Sequence, residues 1–147
     1  MTRYKQTNSL SRTDAAYIAG LVDGEGTVTL TRKHKNENRQ LAVSISNTEM
    51  PLLDFVLQTV GTGKITNKRV VNEKHTPSFV YAIYNRQALD LLEQITPYLR
   101  TYKRKRATII LKNYIKLTAR NGKYSDELIA RRREFEQAVL TTTSKSI

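Results

Sequence analysis

Two carboxylates frame the chemistry open to this chain. Asp23 and Glu25 stand in the run Ile18-Ala19-Gly20-Leu21-Val22-Asp23-Gly24-Glu25-Gly26, each beside a glycine. Upstream, Ala15, Ala16, Ala19 and Gly20 are small enough to let a second helix approach closely. Downstream the pattern changes to the alternation of a strand. A helix that packs tightly and ends in a carboxylate is an arrangement for holding a metal ion. Gly24 and Gly26 also suit a helix stop, but a stop does not explain an acid placed between them. The chain is basic, with 25 Lys+Arg against 13 Asp+Glu and a net charge of +12 over 147 residues. A carboxylate on such a basic chain points to a metal ion working on a polyanion.

Composition narrows the classes. The length suits one domain with a real core. Cysteine is absent, which removes disulfides, Cys-ligated zinc and thiol chemistry and agrees with an intracellular protein. No apolar run reaches membrane-span length, and the N-terminus has no apolar signal region. No membrane partner is expected, and the compartment stays open among archaeal or bacterial cytoplasm and an organelle. The charge favours nucleic acid, with salt-dependent affinity.

The elements that position the acids follow from periodicity. Residues 1–10 are polar and irregular, a basic arm able to touch DNA. Ser11 to Asp14 offer N-caps for a helix over about Asp14–Asp23. Thr27–Lys33 and Gln40–Ser46 alternate and form a hairpin around a polar turn that holds His34. Asn47 or Thr48 caps a second helix, with Pro51 in its first turn and Gly61-Thr62-Gly63 as its stop. Strands over about Lys64–Val71 and Ser78–Tyr84 flank a second turn, which carries Asn72 and His75. A third helix bears Leu89, Leu91, Leu92 and Ile95 and ends before Pro97. Helices over about Ala107–Ala119 and Ser125–Leu140 follow, then a polar tail. Both histidines are expected to be exposed loop residues.

The stretch 18–26 resembles the LAGLIDADG motif of homing endonucleases. Ile18 stands for the first Leu, Val22 for Ile, Gly24 for the second Ala and Glu25 for the second Asp. The resemblance covers roughly residues 13–119, with 125–140 as an additional outer helix in one domain spanning 1–147. It implies an α+β fold: an αββαββα core with a saddle-shaped antiparallel four-stranded sheet, plus C-terminal helices. It implies a Mg²⁺-dependent, or other divalent-cation-dependent, site-specific double-strand DNA endonuclease. Such enzymes cut across the minor groove, leave short 3′ overhangs and are encoded in introns or inteins. Because the motif occurs once and two strands must be cut, the chain should act as a homodimer. Its motif helices would meet through Ala16, Ala19, Gly20 and Asp23.

The resemblance also assigns roles. Glu25 is the metal ligand, with the Gly24 carbonyl next, and Asp23 serves the helix end and interface. Asn47 orients a water, or simply caps the second helix. Lys103, in the basic run before the helix at Ala107, stabilises phosphate charge or perturbs the attacking water. A slip in alignment would give that role to Lys105. Glu25 in place of the commoner Asp moves the carboxylate by about 1.5 Å, one bond length.

Strand alternation assigns the DNA face. Thr27, Thr29, Thr31, Lys33, Gln40, Ser44, Ser46, Lys64, Thr66, Lys68 and Ser78 point outward, offering groups that suit base edges in the major groove. Strands of about nine residues would span ~30 Å, about nine base pairs per subunit, and a dimer would read roughly twenty in a near-palindrome. Arg100, Arg104, Lys105, Arg106, Lys112 and the Arg131-Arg132-Arg133 run are expected on phosphates or in solvent, while Arg32 and Arg69 fit either role. An intron RNA maturase and a non-cleaving DNA-binding regulator are the alternatives on the same fold, so RNA stays open as a partner.

Overall fold

A computed structural model describes residues 5–67, 76–119 and 121–146. The chain runs α1 (Arg12–Glu25), β1 (Gly26–Thr31), β2 (Gln40–Asn47), α2 (Met50–Val60), β3 (Lys64–Asn67) and β4 (Phe79–Tyr84). It continues with α3 (Asn85–Ile95), a 3-10 turn (Thr96–Tyr98), α4 (Tyr102–Asn113) and α5 (Asp126–Thr141). The order αββαββα, with two further helices, is the α+β architecture expected from the residues. The strands form an antiparallel sheet in the order β1-β2-β4-β3. Lys68, Arg69, Asn72 and His75, with the far half of the expected third strand, lie outside the described residues.

One sheet face carries the core. Val28, Leu30, Leu41, Val43, Ile45, Tyr81 and Ile83 alternate inward and are almost fully buried. They meet Ile18 and Val22 of α1, Leu53, Val56 and Val60 of α2, and Leu89, Leu92 and Ile95 of α3. Local chemistry sets the helix ends. Ser11 Oγ accepts from the Asp14 N–H and starts α1, and Ser125 Oγ does the same for α5 through Leu128 N–H. Gly61 ends α2 in the left-handed region at φ 81°, where glycine bears no Cβ clash. Among the described residues no helix is long and apolar enough to cross a membrane.

Several expectations shift. Helix α1 reaches Glu25, so the acidic pair belongs to its last turn. Strand β1 ends at Thr31, leaving Lys33 exposed in the bend that also holds His34. Ser78 directly precedes β4. Among the described residues the longest strand, β2, has 8 residues, which at about 3.3 Å each reaches ~26 Å, or roughly eight base pairs. Helix α4 starts five residues before the expected Ala107, at Tyr102, because Thr101 caps it through its side chain. Residues 5–10 are not a free arm. Gln94 accepts from Leu10 N–H and donates to Asn8 O, and Gln87 donates to Lys5 O, which straps the segment along α3.

Helix α5 is more than an outer addition. Phe135 and Val139 join the core, and Arg132 is only 2% exposed. Its guanidinium donates to Glu136 Oε2 (3.1 Å), Leu117 O (3.2 Å), Thr118 Oγ1 (2.6 Å) and Arg39 O (2.6 Å). It also lies 5.0 Å from the centre of the Tyr114 ring. A planar, permanently charged fork with five donors suits a site that must join three elements. Arg106 works in the same way, donating to Val28 O and Thr142 O and tying edge strand β1 to the end of α5. Arg106 and Arg132 are therefore corrections to the expectation of phosphate or solvent contact. Arg131 and Arg133 are exposed. Replacing Arg132→Ala should lower stability by about 3 kcal/mol, since it leaves the buried Glu136 with Arg39 alone and strips the donor from Leu117 O and Arg39 O. A thermal melt should fall by roughly 10 °C.

Candidate active site and nucleic-acid face

The acidic segment closes α1 at a crowded crossing. Gly26 donates its N–H to Val22 O. A Cβ there would stand 2.6 Å from Ser44 O and 2.8 Å from Val22 Cα, so only glycine lets the helix end pass beside β2. Gly20 and Gly24 are different, because a Cβ at either would meet nothing within 4 Å. Their bareness serves nothing inside the chain.

Asp23 and Lys103 join the end of α1 to the start of α4. Asp23 Oδ2 accepts from Arg100 N–H (2.8 Å). Its Oδ1 accepts from Thr101 N–H (3.2 Å) and Thr101 Oγ1 (2.6 Å). In return Lys103 Nζ donates to Val22 O (2.9 Å) and Asp23 O (2.8 Å). Each helix end leaves unsatisfied backbone groups, and each receives the charge its dipole favours: an anion at an N-terminus, a cation at a C-terminus. Lys103 is 8% exposed. Burial lowers its pKa below 10.5; the Asp23 charge opposes that shift and Arg106 adds to it. Among the described residues no buried side-chain polar atom lacks a partner.

Three residues singled out in the sequence gather at this end of the sheet. Gly26 pairs with Ile45, so the end of β2 runs beside the end of α1 and brings Asn47 near the acidic turn. Glu25 and Gly24 are exposed. Asn47 Oδ1 accepts from Glu49 N–H (2.8 Å), holding the turn into α2. Lys103 is turned onto the helix end, and the next two residues, Arg104 and Lys105, are exposed. Among the described residues no group of three or more His, Asp or Glu could hold a metal. At this turn Glu25 offers an exposed carboxylate with backbone carbonyls beside it. Mg²⁺ accepts such a set, since it retains several waters and needs one or two carboxylates plus phosphate.

The outward face of α1 is narrower than the small-residue pattern indicated. Ala16, Tyr17 and Gly20 are exposed, whereas Ala15 and Ala19 are buried in the chain's own core. Ala19 is thus a correction: one turn from Ala15 and Val22, it sits on the inward stripe. Asp23 is half-buried by its hold on Arg100 and Thr101. Beside the open stripe, Tyr17 and Phe55 stack edge to face with ring centres 5.5 Å apart, both partly exposed.

The outer sheet face is polar in rows. Thr27, Ser44, Ala82 and Lys64 form a rung across all four strands, and Ser46, Val80 and Thr66 form the next. Thr29 pairs with Ala42 and Ala42 with Tyr84, and Thr31 pairs with Gln40. Thr27, Lys64 and Thr66 are exposed; Thr29, Thr31, Gln40, Ser44 and Ser46 are half-buried, and so is Ser78 beside β4. Tyr84, placed outward by alternation, is 45% exposed on this face. Asn85 after it was not singled out, and nothing local marks it.

With this geometry in hand, comparison with known proteins is specific about family. A model described as the LAGLIDADG-like domain matches residues 12–136. No curated protein matches at the sequence level. Among solved structures, homing endonuclease I-CvuI in complex with its target is similar with a TM-score of 0.71 at 17% identity, covering 90% of this chain and 83% of that one. The archaeal intron-encoded homing endonuclease I-Vdi141I complexed with DNA gives a TM-score of 0.59 at 14% identity, covering 89% and 84%. The LAGLIDADG homing endonuclease I-GzeII gives 0.63 at 17% identity, covering 89% of this chain but 44% of that one. At these identities the likeness is one of fold. The matched span opens with the helix that carries the acidic run and extends into α5, and the chain belongs to the LAGLIDADG-like domain family.

Proposed function

We propose that the protein is a homodimeric, divalent-cation-dependent endonuclease that cuts both strands of DNA at one long, near-palindromic site. The observation that carries this is Glu25: a free carboxylate on a chain of net charge +12. It projects at the end of a capped helix, beside a sheet face of hydroxyl, amide and amine groups. Family membership supports the class of activity. That the I-GzeII chain is about twice as long as the part matched here supports pairing of two copies of this one.

Each part of the site has a task in that reading. Glu25, with the Gly24 carbonyl, would hold Mg²⁺ between protein and phosphate. The bound ion supplies charge relief on phosphate oxygens and a more acidic water. Asp23 and Lys103 hold the end of α1, and so hold Glu25 in place. Lys103 would also add positive potential near the phosphate, and Asn47, whose Oδ1 holds the Glu49 N–H, would orient a water through its remaining amide groups. Exposed Arg104 and Lys105 would meet phosphates, while Thr27, Thr29, Thr31, Gln40, Ser44, Ser46, Lys64, Thr66 and Ser78 would face the groove. Phosphate contacts set position and the strand residues set sequence. The dimer would form along Ala16, Gly20 and Gly24, where small residues allow close approach.

The test is selection of cleaved sites from a randomised duplex library with Mg²⁺, wild type beside Glu25→Gln. The wild type should cut one long near-palindrome, and the variant should lose at least about a hundredfold in rate, the scale of removing a key electrostatic group, while still binding that site. Binding by both proteins with cleavage by neither would reverse the nuclease reading. Tighter binding of structured RNA than of duplex would point to a maturase. A separate check addresses pairing. Gly20→Leu should leave the subunit folded, with the helix signal of wild type in circular dichroism, because Leu favours helix by roughly 0.8 kcal/mol over Gly and meets open space. Sedimentation should show dimers for wild type and monomers for the variant. Dimers in both would remove α1 from the interface.

A further inference from the structure

Asn85 is the one non-glycine residue with positive φ (54°) among the described residues, and it stands where β4 turns into α3. Asn tolerates this region best among side-chain-bearing residues, yet the conformation still costs about 1 kcal/mol. Strain of this kind persists where the surroundings fix it and concentrates at functional positions. Here it is fixed from both sides. Tyr114 Oη donates to Asn85 Oδ1 (2.7 Å), and Asn85 Nδ2 donates to Gln40 Oε1 (3.3 Å). Tyr114 is itself 4% exposed and lies under the Arg132 guanidinium. Gln40 is held from behind as well, because its neighbour Arg39 gives its carbonyl to Arg132 and its N–H to Glu136. A chain of fixed contacts thus runs from the core to a side chain on the outer sheet face.

The polarity of that chain has a chemical meaning. The phenol donates, so the Asn85 carbonyl faces Tyr114 and its amine faces Gln40. The Gln40 carbonyl is thereby tied to Asn85, and among the described residues its Nε2 N–H groups carry no such tie, on a side chain of the outer sheet face. A free Gln pairs bidentately with adenine, accepting from N6 and donating to N7. With its carbonyl turned toward Asn85, Gln40 offers a base its Nε2 donors ahead of the one lone pair left on Oε1. Guanine, with N7 and O6 as acceptors, is the purine edge it fits.

We propose that Asn85 is a specificity-setting positioning residue, fixing the Gln40 amide so that Gln40 reads guanine rather than adenine in the major groove. This rests on the DNA reading above. The test is binding-site selection from a randomised duplex pool with wild type, Gln40→Ala, Asn85→Asp and Tyr114→Phe. Wild type should favour guanine by roughly tenfold at one position per half-site, the scale of one good base contact, and Gln40→Ala should flatten that position. Asn85→Asp keeps a residue that tolerates positive φ but accepts from Gln40 Nε2, turning Gln40 Oε1 outward. The same position should then favour a base with an exocyclic amine, adenine or cytosine. Tyr114→Phe frees Asn85 and should weaken the guanine preference; it serves as the reporter if Asn85→Asp does not fold. The inference is overturned if Gln40→Ala flattens the position while both other variants leave guanine preferred, or if wild type favours adenine there. Enrichment of no sequence by wild type would instead bring down the DNA reading itself.

Discussion

The reciprocal cap between α1 and α4 is the interaction on which the site depends. Helices end in unpaired carbonyls at one terminus and unpaired N–H groups at the other. Here the two deficits meet, and one acid and one base exchange to satisfy both: Asp23 for Arg100 and Thr101, Lys103 for Val22 and Asp23. The exchange explains why the acidic run can have two carboxylates with different fates. Asp23 is committed to the fold, and Glu25, two residues on, is left facing outward. It also explains a lysine that is buried without a salt-bridge partner at its amine, since backbone carbonyls receive it.

Around that joint the protein divides its basic residues by depth. Arg106 and Arg132 are drawn inward because carbonyl groups at strand edges and helix ends need donors that no apolar residue supplies. Arg100, Arg104, Lys105, Arg131 and Arg133 remain outside and generate the field that a polyanion would meet. Arg132 and Glu136 join α5 to β2 and to the turn after α4, so the outer face at Gln40 rests on a buried ionic network rather than on apolar packing alone. Such networks resist rearrangement because breaking one partner strands the other.

Much of this was legible in the residues, for identifiable reasons. Strict alternation with β-branched residues marked both strands of the first hairpin, and the inward set Val28, Leu30, Leu41, Val43 and Ile45 followed from it. Ser11 and Ser125 announced their helices as caps. The basic run Lys103–Arg106 hid the start of α4, since four consecutive cations read as a solvated segment until a capping Thr101 is seen in place. Arg132 was hidden between two exposed arginines, because charge in a sequence carries no depth. Ala19 looked like its neighbours Ala16 and Gly20, and only the rotation of the helix separates them. The strap made by Gln87 and Gln94, and the strained Asn85, are tertiary facts with no local period to reveal them.

The span of the Asp23 contacts has a consequence for how the protein is made. Asp23 and Arg100 are 77 residues apart, whereas the β1–β2 hairpin closes between near neighbours in the chain. Contacts between distant residues wait until the intervening loop has been closed by other structure, and synthesis delivers α4 only after all four strands of the sheet. On a ribosome the hairpin and α2 can therefore form while the acidic turn is still without its anchor. The carboxylate acquires a defined place only when almost the whole fold is present, so an unfinished chain carries the acid without its geometry.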